Sequence, residues 1–360
     1  MNLQEQNILF FTRTMEIGGT EKVVLQLCEV FKPLVNKIVV CSCGGSNEDI
    51  LKKMNIKHYK IPDIAKKSFL NFLCIKNKLN DIISKENISV IHTHHRMAAF
   101  YCNFLQLNRQ ILINTSHTAF YDKKYLTRFS FKKFNLIACG KDVKDSLVQA
   151  LGFNQNKISV IYNGIKTVIP SYVNIPKEIL QAKANCYHLI AFVGRISKEK
   201  GLDVLVEAVS ILKDPKLKVV VVGQGPDYNN ICKKLIDKHL ENSFIFLGYR
   251  DDVINIISQV DFVVLPSYQE GFPLTPIESF SIGKSVIGTN VSGTREIITD
   301  RKNGLIVRVG DPLNLAKSIE FFLHIDRSNF EKEAISTYKK NFSFEVFASS
   351  YVNYYKSLKV

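Results

Sequence analysis

From Phe262 to Gly288 the chain runs apolar segment, polar loop, helix start, apolar segment, an order that points to a parallel βα unit. Phe262–Leu265 feeds a loop carrying Glu270 and Gly271; Thr275, Pro276 and Glu278 then open a helix, and Ser285–Gly288 ends in a Gly-rich turn. This order predicts Glu270 on the loop at the carboxyl end of a parallel strand, with Glu278 one helical turn deeper. Open α/β sheets bind ligands at that edge. Thr275 as N-cap, Pro276 at the first helical position and Glu278 three residues after the Thr form a capping box, a sufficient structural reason for Glu278. A carboxylate at a pocket rim can equally accept hydrogen bonds from paired hydroxyls, its anion favoured by the positive helix end. Glu270 has no capping role, so it is either solvated or open to a ligand.

The same rhythm fills the chain. Strands are expected at Asn7–Thr12, Ile38–Cys41, Val90–His92, Leu112–Asn114, Leu136–Cys139 and Ile158–Asn163, and again at Leu189–Val193, Val219–Val222, Phe244–Leu247 and Gly304–Val307. Gly18-Gly19, after the first strand, can let backbone approach a ligand beside a helix terminus, or can simply make a tight turn. The pair is not the G-x-G-x-x-G dinucleotide fingerprint. His92, His94 and His95 carry no metal expectation, because alternation points neighbours apart and no nearby Asp or Cys completes a set. His117 follows the strand Leu112–Asn114, as a ligand-facing residue or as a packed loop histidine. Arg195 and Lys200, flanked by Gly194 and Gly201, offer two cations on one βα loop. They can hold a diphosphate, or form a solvated charge run.

These motifs, with Asn163-Gly164 and Gly223-Gln224-Gly225-Pro226, resemble in type and order the retaining glycosyltransferase family 4 group (glycosyl transferases group 1). The resemblance covers nearly the whole chain. It implies an α/β fold of GT-B architecture, two Rossmann-like parallel-sheet domains facing each other across a cleft. The implied division is an acceptor-side domain over 1–168, a connection over 169–186, a nucleotide-sugar-binding domain over 187–341, and a helix over 342–360 crossing back to the first domain. It implies Arg195, Lys200, Glu270 and His117 as catalytic residues, with His117 near the donor sugar's primary hydroxyl. Donor-binding residues are implied at Gly18, Gly19, Gly194, Gly223, Gly225, Tyr249, Arg250, Gly271, Phe272, Pro273, Leu274 and Glu278. Where the family carries an aspartate after the Asn-Gly turn, this chain has Lys166, and no role is carried over to it.

A length of 360 residues suits two domains of roughly 150 to 200 residues each. No apolar run approaches the roughly 20 residues that span a bilayer, and the polar start lacks a basic leader region, so neither secretion by a standard signal nor a membrane span is expected. The eight scattered cysteines are expected to be reduced thiols in a cytoplasmic protein. Charge is uneven: residues 1–180 hold 25 basic and 13 acidic residues, net +12, against +3 for the remainder. A basic half suits polyanions, namely nucleic acid, an anionic membrane or phosphate-bearing substrates. Lysines and aromatics interleave over Lys66–Ile83 and Phe120–Phe134, and Lys123, Lys124, Lys132 and Lys133 are the candidate membrane or acceptor contacts.

The resemblance implies transfer from a nucleotide diphosphate-sugar, UDP- or GDP-linked, to a hydroxyl of a glycan acceptor, lipid-diphosphate-linked, in surface polysaccharide synthesis at the cytoplasmic membrane face. The donor is a substrate, so no cofactor is expected. No metal is expected either, since Arg195 and Lys200 supply positive charge and no carboxylate cluster suits Mg²⁺. Retention by double displacement would need two groups about 5 to 5.5 Å apart; the resemblance gives Glu270 sugar-hydroxyl recognition instead. The alternatives are a nucleotide-sugar epimerase of similar fold, or a non-catalytic sugar- or polyanion-binding protein. Nucleic acid is not an expected partner, as no recognised module is present.

Overall fold

The computed structural model describes residues 1–171 and 173–358. The chain divides into two compact units, one of Met1–Asn163 with the segment from Phe347 onward, the other of Gly164–Val346.

The first unit holds seven parallel strands: β1 (Asn7–Phe11), β2 (Lys37–Ser42), β3 (Lys57–Lys60), β4 (Val90–Thr93), β5 (Ile111–Ser116), β6 (Asn135–Ala138) and β7 (Ile158–Val160). Their order is β3-β2-β1-β4-β5-β6-β7, so the order reverses between β1 and β4, with Phe11 opposite Thr93. The central strands are buried along most of their length, β1 through the apolar run Ile8–Phe11, while β4 and β5 end in the buried polar residues His92, Thr93, Asn114, Thr115 and Ser116. β3 was not expected. It reads K-H-Y-K and pairs with β2 at the sheet edge. The tail helix Phe344–Ser357 brings Phe347, Tyr351 and Tyr355 into this unit's core. Tyr355 Oη meets His92 Nδ1 at 2.7 Å, and Tyr351 Oη meets Thr115 Oγ1 at 3.2 Å.

The second unit holds β8 (His188–Val193), β9 (Leu217–Val222), β10 (Phe244–Gly248), β11 (Phe262–Leu265), β12 (Val286–Thr289) and β13 (Gly304–Val307), ordered β10-β9-β8-β11-β12-β13 and parallel throughout. Its switch point lies between β8 and β11. The helices Leu202–Leu212 and Pro312–His324 close the core on Phe192, Val219, Phe262 and Phe322. The unit begins at Gly164, ahead of the boundary expected after residue 168. Ile165 belongs here because its N–H donates to the Phe342 carbonyl at 3.1 Å and its own carbonyl accepts from Tyr338 Oη at 2.9 Å.

Candidate active site

The loops leaving β8 and β11 meet at the switch point of the second unit. Lys200 Nζ donates to both carboxylate oxygens of Glu270, at 2.7 and 2.8 Å, and Ser267 Oγ donates to Glu270 Oε1 at 2.7 Å. Glu270 is only 8% exposed. The solvated alternative is therefore set aside: the carboxylate is buried, and Lys200 and Ser267 hold it in place. The backbone ties the same two loops together, since the Tyr268 N–H donates to the Glu199 carbonyl at 2.8 Å. Ser267 escaped the sequence reading, although its place three residues before Glu270 was a usable signal.

Glycine allows these loops to pack backbone on backbone. A Cβ at Gly201, where φ is +68°, would lie 2.1 Å from the Pro266 carbonyl oxygen, and one at Gly223 would lie 1.9 Å from that of Gly194. Gly201 and Gly223 are thus spent on loop-to-loop contact, and Gly225 likewise abuts the Ile196 backbone. At Gly194 an added Cβ would meet nothing within 4 Å, so this glycine leaves open space beside the exposed Arg195.

The helix after β11 runs Leu274–Ser281, with Pro273 at the N-cap position and no side-chain cap. The capping box is absent. Thr275 lies inside the first turn and donates its hydroxyl to the Val193 carbonyl at 3.3 Å, a tertiary contact that outweighs the local motif. Glu278 is 8% exposed within the helix, so a cap does not account for it. Phe272 is buried with its ring 5.8 Å from that of Phe342; Phe272, Pro273 and Leu274 can therefore offer a ligand mainly backbone at an uncapped, electropositive helix start. Gly271 supports this loop from below, its carbonyl lying against Gly293.

Tyr249 and Arg250 follow the edge strand β10 and line a hollow of about 750 Å³ with Ser171, Asn174 and Asn255. Arg250 is committed to Asp252 through two hydrogen bonds of 2.8 Å.

In the first unit Gly18 caps the helix Gly19–Phe31 in an extended conformation, φ −174°, that any residue adopts. A tight turn therefore does not explain it. The Glu21 carboxylate sits beside Gly18 and accepts from the Thr14 hydroxyl at 2.7 Å, so this helix start suits hydroxyls better than a diphosphate. His117, half-buried after β5, has Nε2 3.1 Å from His94 Nδ1. Burial first, and His95 nearby, push its pKa down to about 4, which keeps the ring neutral at neutral pH. His95 caps the helix Arg96–Cys102 through a bond from the Met97 N–H. No group of three His, Cys, Asp or Glu suited to a metal is found among the described residues.

Two parallel sheets, each reversing order at a switch point edged by polar loops, define the GT-B class of fold. The chain belongs to the glycosyltransferases of this class. Residues 17–168 match the model described as Glycosyltransferase Family 4, and residues 178–340 match Glycosyl transferases group 1. An uncharacterized glycosyltransferase of Methanocaldococcus jannaschii is 27% identical over 84% of each chain. The UDP-Gal:alpha-D-GlcNAc-diphosphoundecaprenol alpha-1,3-galactosyltransferase of Escherichia coli is 25% identical over 82% of each. Among solved structures, Anabaena HepE in complex with UDP superposes with a TM-score of 0.85 at 20% identity, over 98% of this chain and 100% of that one.

Proposed function

We propose that this glycosyltransferase is a retaining enzyme, transferring a sugar from a UDP- or GDP-sugar to a hydroxyl of a lipid-diphosphate-linked glycan in surface polysaccharide synthesis. The carrying observation is the Glu270 carboxylate, buried at the switch point and fixed by Lys200 and Ser267. A carboxylate so held is an aimed acceptor for sugar hydroxyls and a poor candidate for a nucleophile. In this reading the bond from the anomeric carbon to the donor phosphate breaks while a bond to the acceptor oxygen forms on the same face. The acceptor proton passes to the departing phosphate oxygen, leaving a glycosylated lipid and a nucleoside diphosphate. Arg195 and the Leu274–Ser281 helix start stabilise the charge on that phosphate. Glu278 reads the ribose hydroxyls, and Tyr249 lies toward the base. The lipid-linked acceptor is favoured by the net +12 of residues 1–180 and by the acceptor named for the Escherichia coli relative. Screening UDP- and GDP-sugars for nucleoside diphosphate release, with and without a lipid-linked acceptor extract, tests the proposal. Release that needs no acceptor, or epimerised donor as the product, would overturn it.

The chemistry is expected to need no metal, because in this reading Arg195 and a helix start supply the positive charge that meets the phosphates. Enzyme treated with EDTA should keep most of its turnover. A loss restored by Mg²⁺ or Mn²⁺, and not by Na⁺, would refute this.

Peripheral membrane association completes the proposal. No helix among the described residues is long and apolar enough to cross a bilayer. In the first unit, however, Phe69 and Leu70 on the helix Phe69–Lys85 are 74% and 78% exposed, and Tyr121 and Tyr125 are 75% and 87% exposed. Phe72, Phe104 and Phe129 pack ring to ring, which makes these two stretches neighbours. Lys123, Lys124, Lys132 and Lys133 are exposed there, Lys132 lying 4.5 Å from the Phe129 ring. Each lysine near an anionic surface contributes about 1 kcal/mol. Replacing all four with Gln should weaken co-sedimentation with vesicles of about 30% anionic lipid at least tenfold at low salt, and added salt should erase the difference. Equal partitioning onto anionic and neutral vesicles would sink the idea.

A further inference from the structure

Three histidines of the first unit form a continuous train, two of them buried and the third, His117, half-buried. His92 is held at both ring nitrogens, Nδ1 2.7 Å from Tyr355 Oη and Nε2 2.8 Å from Thr115 Oγ1. The His94 ring stacks on that of His92, with centroids 4.3 Å apart and planes at 27°. His94 Nδ1 then meets His117 Nε2 at 3.1 Å. The train thus runs from the tail helix to the half-buried His117, the loop residue that the family resemblance implies lies near the donor sugar.

The proton on the His94–His117 bond can be located by counting partners. His94 is 4% exposed, and its Nε2 is buried with no hydrogen-bond partner among the described residues. A neutral imidazole carries one N–H and one bare nitrogen. Were the proton on Nε2, it would be an orphaned buried donor, a situation rarer in folded proteins than an under-used acceptor. With the proton on Nδ1 the only buried donor of the ring is satisfied, and it points at His117. His117 Nε2 must then be the bare nitrogen, and His117 carries its proton on Nδ1. Burial drives both rings toward the neutral form, consistent with that count.

We propose that His94 is a positioning residue whose Nδ1–H, donated to His117 Nε2, locks His117 as the Nδ1–H tautomer, so that His117 meets its substrate as a hydrogen-bond donor and not as a base. The substrate atom it suits is a hydroxyl or phosphate oxygen with a free lone pair. The lock rests on the assignment of His117 to the active site; the tautomer itself does not. His92 serves as the floor, its own nitrogens pinned so that the stacked His94 ring has a fixed plane to rest on.

Two arms test this. In full-length protein labelled with ¹⁵N-histidine, ring-nitrogen NMR without substrate should show His117 Nδ1 protonated and Nε2 bare, the resonances assigned by their loss in His117→Gln. The reverse tautomer would overturn the proposal. In the kinetic arm His94→Phe fills the space but donates nothing, while His94→Asn returns an amide donor near the position of Nδ1. Turnover should fall about tenfold or more in His94→Phe with the donor KM within about twofold of wild type, and His94→Asn should recover most of it. Equal loss in both variants, or unchanged turnover in His94→Phe, would reduce His94 to packing. Should His94→Phe fail to fold, the NMR arm and His94→Asn still decide. Failure of the active-site assignment shows differently, as full turnover in His117→Ala with the predicted tautomer intact in wild type.

Discussion

Lys200→Ala is expected to lower turnover at least about 10²-fold and to lower the melting temperature, whereas Arg195→Ala should lower turnover comparably with no change in melting. The difference follows from what each cation touches. Arg195 is exposed beside Gly194, and among the described residues its side chain has no hydrogen bond or ion pair to a buried group. Lys200 is two-pronged on Glu270, whose side chain is only 6% exposed against 26% for Lys200. Without Lys200 the carboxylate keeps Ser267 but loses its counter-charge, a defect of about 3 kcal/mol for a buried ion left unpaired. For a unit of this size that corresponds to a fall of several degrees. Isothermal titration with free UDP and GDP, beside a thermal melt of each variant, separates the roles. If both variants bind nucleotide and turn over like wild type, neither cation belongs to a phosphate site. If Lys200→Ala melts early yet binds nucleotide normally, Lys200 is only the strut that aims Glu270.

That pairing shows where the sequence stops being legible. Strands buried on both faces, such as Leu9–Phe11 in β1 or Val219–Val222 in β9, declare themselves as apolar runs, because parallel sheets leave no polar face. Glu270 could be read as a loop residue at a strand end from local order alone. Its contact with Lys200, 70 residues away, could not, because it depends on β11 lying beside β8 and skipping β9 and β10. The same holds for His94 and His117, neighbours because β4 pairs with β5. Three histidines in four positions raised a metal question, and the informative fact was a cross-strand partner outside the cluster.

Local motifs failed where a tertiary contact competed with them. Thr275 and Glu278 have capping-box spacing, yet the helix opens earlier and the Thr hydroxyl goes to Val193. Gly201, which flanks the Arg195–Lys200 pair, packs against the Pro266 carbonyl, so its small size serves a contact between loops. β3 and the helix Ser328–Asn341 were missed because few of their residues are buried: K-H-Y-K has no apolar run, and the helix buries only Ala334 and Tyr338. Hydrophobic periodicity is silent where an element covers little of the core.

The failed capping motif sharpens the expectation for Glu278. Had it only capped the helix, Glu278→Gln would at most lower the melting temperature and leave the donor KM unchanged. In the folded protein Glu278 lies within the helix, past its first turn and buried, so local helix chemistry does not require a carboxylate there. A carboxylate presents acceptors only, which matches two adjacent ribose hydroxyls that both donate; Gln replaces one acceptor with a donor and removes the charge. Hydrogen bonds to a charged group contribute about 1.5 to 3 kcal/mol, so the donor KM of Glu278→Gln should rise about tenfold to a hundredfold. Its turnover at saturating donor should change far less, because the ribose is held alike in ground and transition states. Melting should shift by no more than a few degrees, since Gln is nearly the same size. A nucleotide lacking the 2′-hydroxyl supplies the decisive comparison. Wild type should bind the 2′-deoxy diphosphate much more weakly than the ribonucleotide, and Glu278→Gln should discriminate between them little. If the variant keeps the wild-type preference for ribose, Glu278 does not read those hydroxyls, whatever its effect on KM.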